Sequence, residues 1–239
     1  MTEQKVALVT GANKGIGYAI AAGLGALGWK VGVGARDPQR LAEAVSKLQA
    51  EGVDAFGVRI DVSDDASVAA AVASIDKLDV LINNAGITGT LPQEPTTVDP
   101  AVLLEVVNTN VLGALRVTNA ALPLLRNSAA PRIVNMSSGT GSLTEQSSTN
   151  DPARTGPINA AYSPSKSMLN AVTVQFAKEL ADTNILINLA CPGLVATDLN
   201  GHRGTRTPEQ GAAIAIKLAT LPDDGPTGRF FNDDGEIPW

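Results

Sequence analysis

The sequence has a single cysteine, Cys191, a single histidine, His202, and only two tyrosines among its 239 residues. One cysteine excludes a disulfide framework within the chain and is typical of a reducing compartment, so we expect a cytoplasmic protein. One histidine and one cysteine together exclude a zinc site built from these ligands, and we expect no metal. Zinc-dependent alcohol chemistry is thereby removed from the functions to consider.

Positive charge and long apolar runs are scarce too. The chain has 18 Lys and Arg against 24 Asp and Glu, a net charge of −6, which argues against nucleic-acid binding through a basic face. No window approaches the about 20 apolar residues of a membrane span, and residues 1–10 lack the pattern of a signal peptide. With 44% apolar and 18% charged residues, the composition predicts a globular protein without membrane or nucleic-acid partners.

Short β-branched runs alternate with longer helical patterns along the chain. Strands are predicted at residues 5–10, 30–35, 55–60, 78–82, 132–136 and 186–190, with a last extended piece ending at Phe231. Helices are predicted at residues 16–27, 38–50, 64–75, 99–125, 162–181 and 208–218, with a kink or break at Pro123. This alternation predicts a single α/β domain over residues 1–239. We expect a doubly wound parallel sheet of about seven strands, with helices on both faces and ligands at the carboxyl ends of the strands.

A glycine-rich turn, residues 10–17 (TGANKGIG), directly follows the first strand and opens the first helix. Glycines let the backbone turn sharply and approach a pyrophosphate, whose charge is stabilised by the helix N-terminus. Such a turn alone is also compatible with a purely structural role, but the strand before it and the helix after it favour nucleotide binding. The glycines are spaced GxxxGxG, with Thr10 in front.

With this spacing the sequence resembles the short-chain dehydrogenase/reductase family. Six further motifs follow in the family's order: Asp61-Val62, NNAG at residues 83–86, NVLG at residues 110–113, NMSS at residues 135–138, YSPSK at residues 162–166 and Pro192-Gly193. Each motif has an ordinary structural interpretation, but six in order are not expected by chance. The resemblance covers nearly the whole chain and implies a Rossmann fold and a nicotinamide-dependent oxidoreductase.

Tyr162 and Lys166 stand four residues apart, so both face one side of a helix. A phenol has a pKa of about 10, and a nearby ammonium group would lower that pKa and favour proton exchange. The resemblance implies that Tyr162 is the general acid, that Lys166 also binds the nicotinamide ribose, and that Ser138 holds the substrate carbonyl. Asn110 would keep a water in contact with Lys166. Ser138 is preferred to Ser137 on the resemblance alone.

The resemblance also implies a set of cofactor-binding residues. They are Gly11, Asn13, Lys14, Gly15, Ile16, Gly17, Arg36, Asp61, Val62, Asn84, Ala85, Gly86, Tyr162, Lys166, Pro192, Gly193, Val195 and Thr197. An NAD site generally presents an acid to the ribose 2′-hydroxyl after the second strand, whereas an NADP site presents arginine. Here Ala35 stands where the acid would be, Arg36 follows, and Lys14 adds a second cation for a 2′-phosphate. NADPH is therefore predicted, with NAD as the alternative if Asp37 bends into the site.

The segment between Ser138 and Tyr162 holds 23 residues, more than is usual in the family. The excess, residues 143–158, resembles an insertion of carbonyl-reductase-like members. Residues 194–207 are predicted to contain a mobile substrate lid, in which His202, Arg203 and Arg206 are solvated.

A small carbonyl or alcohol compound is the predicted substrate. An NAD-dependent alcohol dehydrogenase and an acyl-carrier-protein ketoreductase are alternatives within the family, and a dinucleotide-sensing regulator without turnover is an alternative of another class. A homo-oligomer, dimer or tetramer, is expected through the helices at residues 101–126 and 162–181, with a monomer as the alternative.

Overall fold

The computed structural model describes residues 3–148 and 158–239. Its strands are β1 (Val6–Thr10), β2 (Lys30–Ala35), β3 (Ala55–Arg59), β4 (Val80–Asn83), β5 (Arg132–Met136), β6 (Leu186–Ala190), β7 (Phe230–Asn232) and β8 (Gly235–Glu236). Over the described ranges these eight strands form one sheet in the order β3-β2-β1-β4-β5-β6-β7-β8. Neighbouring strands are parallel, except that β8 turns back antiparallel to β7. The predicted doubly wound α/β sheet is confirmed, with β8 as a short addition.

The helices of the described ranges alternate with the strands. They are α1 (Gly15–Ala26), α2 (Pro38–Ala50), α3 (Asp65–Ala73), α4 (Pro100–Val107), α5 (Gly113–Leu125), α6 (Leu143–Ser147), α7 (Tyr162–Glu179) and α8 (Pro208–Ala219). Asp37, Asp64 and Asp99 start α2, α3 and α4, because each side chain accepts a hydrogen bond from a backbone N–H of the first turn. Proline follows the cap directly in α2, α4 and α8, where its missing N–H costs nothing.

Two apolar layers cover the two faces of the sheet. On one face, α1, α2 and α8 bury Ile20, Leu41 and Ile214 against the strands. On the other face, α3 and α5 bury Val68 and Val117, and α7 packs beside them. The central strands β4, β5 and β6 are buried along their whole length. Burial on both sides explains why these strands read as continuous apolar runs rather than alternating ones.

Helix α1 owes its small residues to close packing. A Cβ atom on Gly23 would lie 2.3 Å from Cδ1 of Ile216 in α8, and one on Gly25 would lie 2.3 Å from Cγ1 of Val53. Both distances are shorter than carbon atoms tolerate, so a larger residue at either position would require the Ile216 or Val53 side chain to move. This packing brings the second half of α1 close to α8 and to Val53.

The long helical pattern at residues 99–125 is not uniform. A π-helix, Asn108–Leu112, joins α4 to α5, and α5 continues through Pro123 to Leu125. The predicted break at Pro123 is therefore absent, and the irregularity lies a few turns earlier. A π-turn adds one residue to the helix and changes which side chains face the sheet, and it is frequent at functional sites.

The same stretch corrects the expectation that no segment matches a membrane span. Over Pro100–Leu125 the continuous helix is long and apolar enough to cross a membrane by length and composition. In the fold, Val106, Val111 and Val117 of this helix are at most 1% exposed. Leu104 and Leu112 of the same stretch are 69% and 40% exposed, so the protein interior accounts for part of its apolar character.

Candidate active site

The candidate site lies where the carboxyl ends of the parallel strands meet. The strand order reverses between β1 and β4, and the chain leaves these two strands toward opposite sides of the sheet. Such a switch point leaves a crevice above the strand ends, which is where doubly wound sheets bind their ligands. The crevice here is a cleft of about 750 Å³.

The glycine-rich turn forms one wall of this cleft. Gly11 and Gly15 have φ angles of +64° and +58°, which residues with a side chain rarely adopt. A Cβ atom on Gly17 would lie 2.5 Å from both Asn84 Nδ2 and Gly11 O. The turn therefore needs its glycines, and their missing side chains leave the backbone open to the cleft. This shape fits a pyrophosphate at the N-terminus of α1.

Hydrogen bonds join the ends of β1 and β4 beneath the turn. The Thr10 hydroxyl accepts from the backbone N–H groups of Asn84 and Ala85, both at 3.0 Å. The Asn84 amide donates to the carbonyl oxygens of Thr10 and Gly11 at 2.9 and 3.1 Å. Asn84 thus holds the glycine-rich turn in place through its side-chain hydrogen bonds, while Ala85 and Gly86 after it line the cleft.

Most of the predicted cofactor residues line this one cleft. They are Gly11, Asn13, Lys14, Gly15, Ile16, Gly17, Arg36, Asp61, Val62, Asn84, Ala85, Gly86 and Thr197. The remaining five, Tyr162, Lys166, Pro192, Gly193 and Val195, are not among its lining residues. The Val195 side chain is 4% exposed and packs toward Gly211.

The loop after β3 is organised around Asp61. Its Oδ1 accepts hydrogen bonds from the Ser63 hydroxyl at 2.6 Å and from the Ser63 backbone N–H at 2.9 Å. These hydrogen bonds lower the pKa of Asp61, and the bond from the Ser63 hydroxyl has the largest effect. The more distant charge of Arg36 acts in the same direction. Asp61 is thus held by its own loop, and both Asp61 and Val62 line the cleft.

Two arginines face the part of the cleft beside β2. Arg36 follows β2, and Arg40 stands one helical turn further on, in the first turn of α2. Asp37, which could have served an NAD site, accepts a hydrogen bond from the Arg40 backbone N–H at 2.9 Å as the cap of α2. Sequence reasoning missed Arg40, although the Asp37-Pro38 start of the helix is a signal that places it beside Arg36.

Lys14 has a partner that the sequence did not reveal. Its Nζ lies 2.5 Å from Oδ2 of Asp198, and Oδ1 of the same carboxylate lies 2.8 Å from His202 Nε2. These contacts lower the pKa of Asp198, chiefly through the hydrogen bond with Lys14. His202 is solvated as predicted, with 68% of its side chain exposed, although its Nε2 also contacts Asp198. Arg206, also predicted to be solvated, is 31% exposed and forms an ion pair with Asp233.

Tyr162 and Lys166 lie together in the first turns of α7. Lys166 is 5% exposed, its Nζ donates to the Met136 carbonyl at 2.8 Å, and the same atom is 5.6 Å from the centre of the Tyr162 ring. A Cβ atom on Gly86 would lie 3.8 Å from this Nζ. Because Gly86 lines the cleft, the Lys166 ammonium group lies just behind the cleft wall at Gly86.

Burial dominates the titration of both side chains. It raises the pKa of Tyr162 to about 12, although a hydrogen bond with Ser138 works in the opposite direction. It lowers the pKa of Lys166 to about 8. The expected fall in the pKa of the phenol is therefore wrong for this structure, because desolvation by burial outweighs the hydrogen bond with Ser138. At neutral pH the phenol keeps its proton and can donate it.

The two serines after β5 have different surroundings. Ser137 is 3% exposed and donates a hydrogen bond to Asn170 Oδ1 at 2.6 Å. Ser138 is half-buried, bonds with the Tyr162 hydroxyl, and accepts from the Thr140 hydroxyl at 3.1 Å. Ser138 is therefore the serine that the fold brings to the tyrosine.

Asn110 lies in the π-helix and is 2% exposed. Its side chain bonds both backbone groups of Ile87, accepting from N–H at 2.8 Å and donating to the carbonyl at 2.9 Å. It also donates to the Ser165 hydroxyl at 3.0 Å, and Ser165 donates to the Tyr162 carbonyl at 2.6 Å. Asn110 thus ties the π-helix, the cleft wall and the start of α7 together.

Cys191 is a site residue that the motif analysis did not single out. It is 8% exposed, and a Cβ atom on Gly139 would lie 3.8 Å from its Sγ. Its charge, if formed, would raise the pKa of Tyr162 and of Lys166, which places it beside both. Burial raises the pKa of the Cys191 thiol, so it stays neutral and forms an apolar wall. Its position directly before Pro192 was the available signal.

The insertion is partly described. Residues 143–148 contain α6, and residues 149–157 lie outside the described residues. The described part packs against the end of the chain, since Thr144 N–H donates to the Trp239 carbonyl at 2.7 Å and the Ser142 hydroxyl donates to the Pro238 carbonyl at 2.6 Å. The start of the insertion and the C-terminal residues are therefore joined by hydrogen bonds.

Comparison with known proteins gives the same family. A model of the short chain dehydrogenase family matches residues 5–207. The chain is 32% identical to short-chain dehydrogenase/reductase 1 of Saponaria officinalis, over 100% of its own length and 97% of the relative. It is 32% identical to carbonyl reductase (NADPH) 1 of Mus musculus, over 100% and 99%. The crystal structure of NADPH-bound carbonyl reductase from chicken fatty liver superimposes with a TM-score of 0.86, at 29% identity, over 99% of this chain and 100% of that one.

Proposed function

Because the chain belongs to the short-chain dehydrogenase/reductase family, in its carbonyl-reductase-like branch, we propose that it is an oxidoreductase that uses NADPH to reduce a ketone or aldehyde to an alcohol. Tyr162 would be the general acid. The observation that carries this proposal is the Tyr162 hydroxyl bonded to Ser138, with the Lys166 ammonium group beside the ring and adjoining the cleft.

The cleft suits a dinucleotide, and bound NADPH would supply the hydride. The two hydroxyls of Ser138 and Tyr162 would hold the substrate carbonyl oxygen between them and fix the carbonyl for attack. As negative charge develops on that oxygen, the Tyr162 phenol would donate its proton. Its raised pKa favours this direction, since the phenol is protonated at neutral pH.

Lys166 would stabilise the phenolate that remains. Its Nζ is held by the Met136 carbonyl, so the charge stays close to the tyrosine ring. Asn110 would position the start of α7 through Ser165 and keep a water in contact with Lys166 for return of the proton from solvent. A buried ammonium group whose pKa is about 8 can exchange its proton near neutrality.

Arginine supports the choice of NADPH. Arg36 and Arg40 face the same part of the cleft, Ala35 carries no carboxylate, and Asp37 is engaged as a helix cap. An anionic 2′-phosphate would find two guanidinium groups there, whereas a ribose hydroxyl would lack an acid partner. An NAD-dependent alcohol dehydrogenase would require Asp37 to leave the α2 cap.

A carrier-protein substrate and a purely regulatory role each meet a specific obstacle. An acyl-carrier-protein ketoreductase would present basic residues at the cleft mouth, but Arg206 forms an ion pair with Asp233. A dinucleotide-sensing regulator has no need of a buried lysine beside a tyrosine. Self-association through α5 and α7 is part of the proposal, supported by the exposed Met168 on α7 and the exposed Leu112 in the π-helix that precedes α5. A cytoplasmic location is the other part, supported by a single buried thiol.

The direct test is the initial rate with NADPH and with NADH against a panel of ketones, aldehydes and quinones. We expect turnover with NADPH preferred. Tyr162→Phe should lower kcat by about 10²- to 10⁴-fold while NADPH affinity stays unchanged. Tyr18→Phe is the matched control, because the Tyr18 hydroxyl contacts Glu51 and not the catalytic residues. Tight NADPH binding without turnover of any carbonyl would favour the regulator instead.

A further inference from the structure

The Lys14–Asp198 ion pair joins two parts of the cleft that otherwise make little polar contact. Lys14 lies in the glycine-rich turn, and Asp198 begins a short helical turn, Asp198–Asn200, within residues 194–207. Within the described part of the chain, this pair is the one hydrogen bond or ion pair linking residues 197–203 to anything outside residues 194–207. It therefore acts as a latch on that segment.

The base of the segment is fixed independently of the latch. Val195 and Arg206 pair as an isolated β-bridge, and Ala196 N–H donates to the Arg206 carbonyl at 2.9 Å. The Arg206 side chain is held by Asp233 and by the Gln210 carbonyl. Residues 197–203 can therefore move on a fixed base when the Lys14–Asp198 ion pair is broken.

Lys14 is also one of the cations available to an anionic ligand. It lines the same cleft as Arg36 and Arg40, and with Arg40 and Asp198 it also lines a neighbouring cavity of about 560 Å³. Neither arginine makes a side-chain hydrogen bond or ion pair with another described residue, whereas Lys14 is engaged by Asp198. The carboxylate thus competes with any phosphate that approaches Lys14.

We propose that Asp198 is an internal competitor of the cofactor's 2′-phosphate. It holds Lys14 while that phosphate is absent, and a bound 2′-phosphate takes Lys14 and releases residues 197–203. A phosphate carries more charge and more acceptor oxygens than one carboxylate. The ion pair is weak enough to be exchanged, since both side chains are 54% exposed. This inference rests on the proposed NADPH function and extends it to the behaviour of the segment beside the cleft.

The test compares two nucleotides that differ by one phosphate. Adenosine 2′,5′-bisphosphate and adenosine 5′-monophosphate are titrated calorimetrically into the protein and into Asp198→Asn. The variant should bind the bisphosphate about two- to fivefold more tightly, the range expected when one exposed ion pair is removed, and the monophosphate equally well. In the unchanged protein, the bisphosphate should speed amide hydrogen exchange of residues 197–203, and the monophosphate should not.

Glu236→Gln is the matched control. It removes one carboxylate from an ion pair of similar exposure, with Arg229, at the β8 edge of the sheet. This variant should change neither affinity nor exchange. If the bisphosphate binds more tightly than the monophosphate, but Asp198→Asn alters neither the affinity for the bisphosphate nor the hydrogen exchange of residues 197–203, the latch is wrong and the NADPH assignment stands. If the two nucleotides bind equally well to the unchanged protein, both are wrong.

Discussion

The arginine pair beside β2 should decide which cofactor the protein prefers. Arg36→Ala and Arg40→Ala each remove a guanidinium group that faces the cleft and has no ion-pair partner among the described residues. A hydrogen bond to a charged group contributes about 1.5–3 kcal/mol, and solvent exposure places these two at the lower end. Each substitution should therefore weaken NADPH binding about tenfold, and the double variant about a hundredfold.

Lys14→Ala should have a smaller effect, about threefold, because Lys14 must first leave Asp198 before it can serve a phosphate. NADH affinity should change by less than about twofold in all these variants, since the lost contacts concern the extra phosphate. The assay is titration of the nicotinamide fluorescence of each cofactor. Arg126→Ala removes a cation at the end of α5 and serves as the control for net charge.

Retention of the NADPH preference in the double variant would refute this reasoning. It would mean that neither guanidinium group reaches the 2′-phosphate. An equal loss of NADPH and NADH affinity would be a different failure, since it would show damage to the adenosine end of the cleft as a whole.

Three further predictions concern the catalytic and structural residues. Reduction should be fastest below pH 8 and fall as Lys166, whose pKa is about 8, loses the charge that stabilises the phenolate; a kcat/KM profile flat to pH 9 would contradict this. Ser138→Ala should lower kcat at unchanged thermal stability. Ser137→Ala should instead lower the free energy of unfolding by about 1 kcal/mol in thermal unfolding, because it loses the hydrogen bond with Asn170. The reverse pattern would exchange the roles of the two serines. Gly17→Ala should abolish nucleotide binding, because its new Cβ atom would lie 2.5 Å from Asn84 Nδ2 and Gly11 O, whereas Gly57→Ala, with no contact under 3.4 Å, should not. Equal nucleotide binding by both variants would refute the role given to the glycine-rich turn.

Tyr162 and Lys166 show how far sequence reasoning reaches at this site. The spacing of Tyr162 and Lys166 predicts that they share a helix face, and the structure has them on the first turns of α7. The direction of the phenol's pKa shift could not be predicted from spacing. It depends on how completely water is excluded around the hydroxyl, and that exclusion comes from elements distant in sequence.

The sequence by itself determined the order of strands and helices and the glycine-rich turn. These features depend on local patterns: apolar periodicity, capping residues, and glycines at positive φ. For the same reason it located the ends of most elements within a few residues. The π-helix around Asn110 was not predicted, because the apolar pattern of residues 99–125 predicts one continuous helix and does not locate the residue at which its phase shifts.

Only the tertiary structure decided which charges and hydroxyls meet. Asp198 reaches Lys14, which precedes it by 184 residues, and Cys191 comes to lie beside Tyr162. Such contacts depend on how separate elements pack across the sheet, and a side chain's own neighbours in sequence carry no record of them. The motifs therefore predicted which residues could take part in binding and proton transfer, whereas packing decided their partners and the shifts in their pKa values.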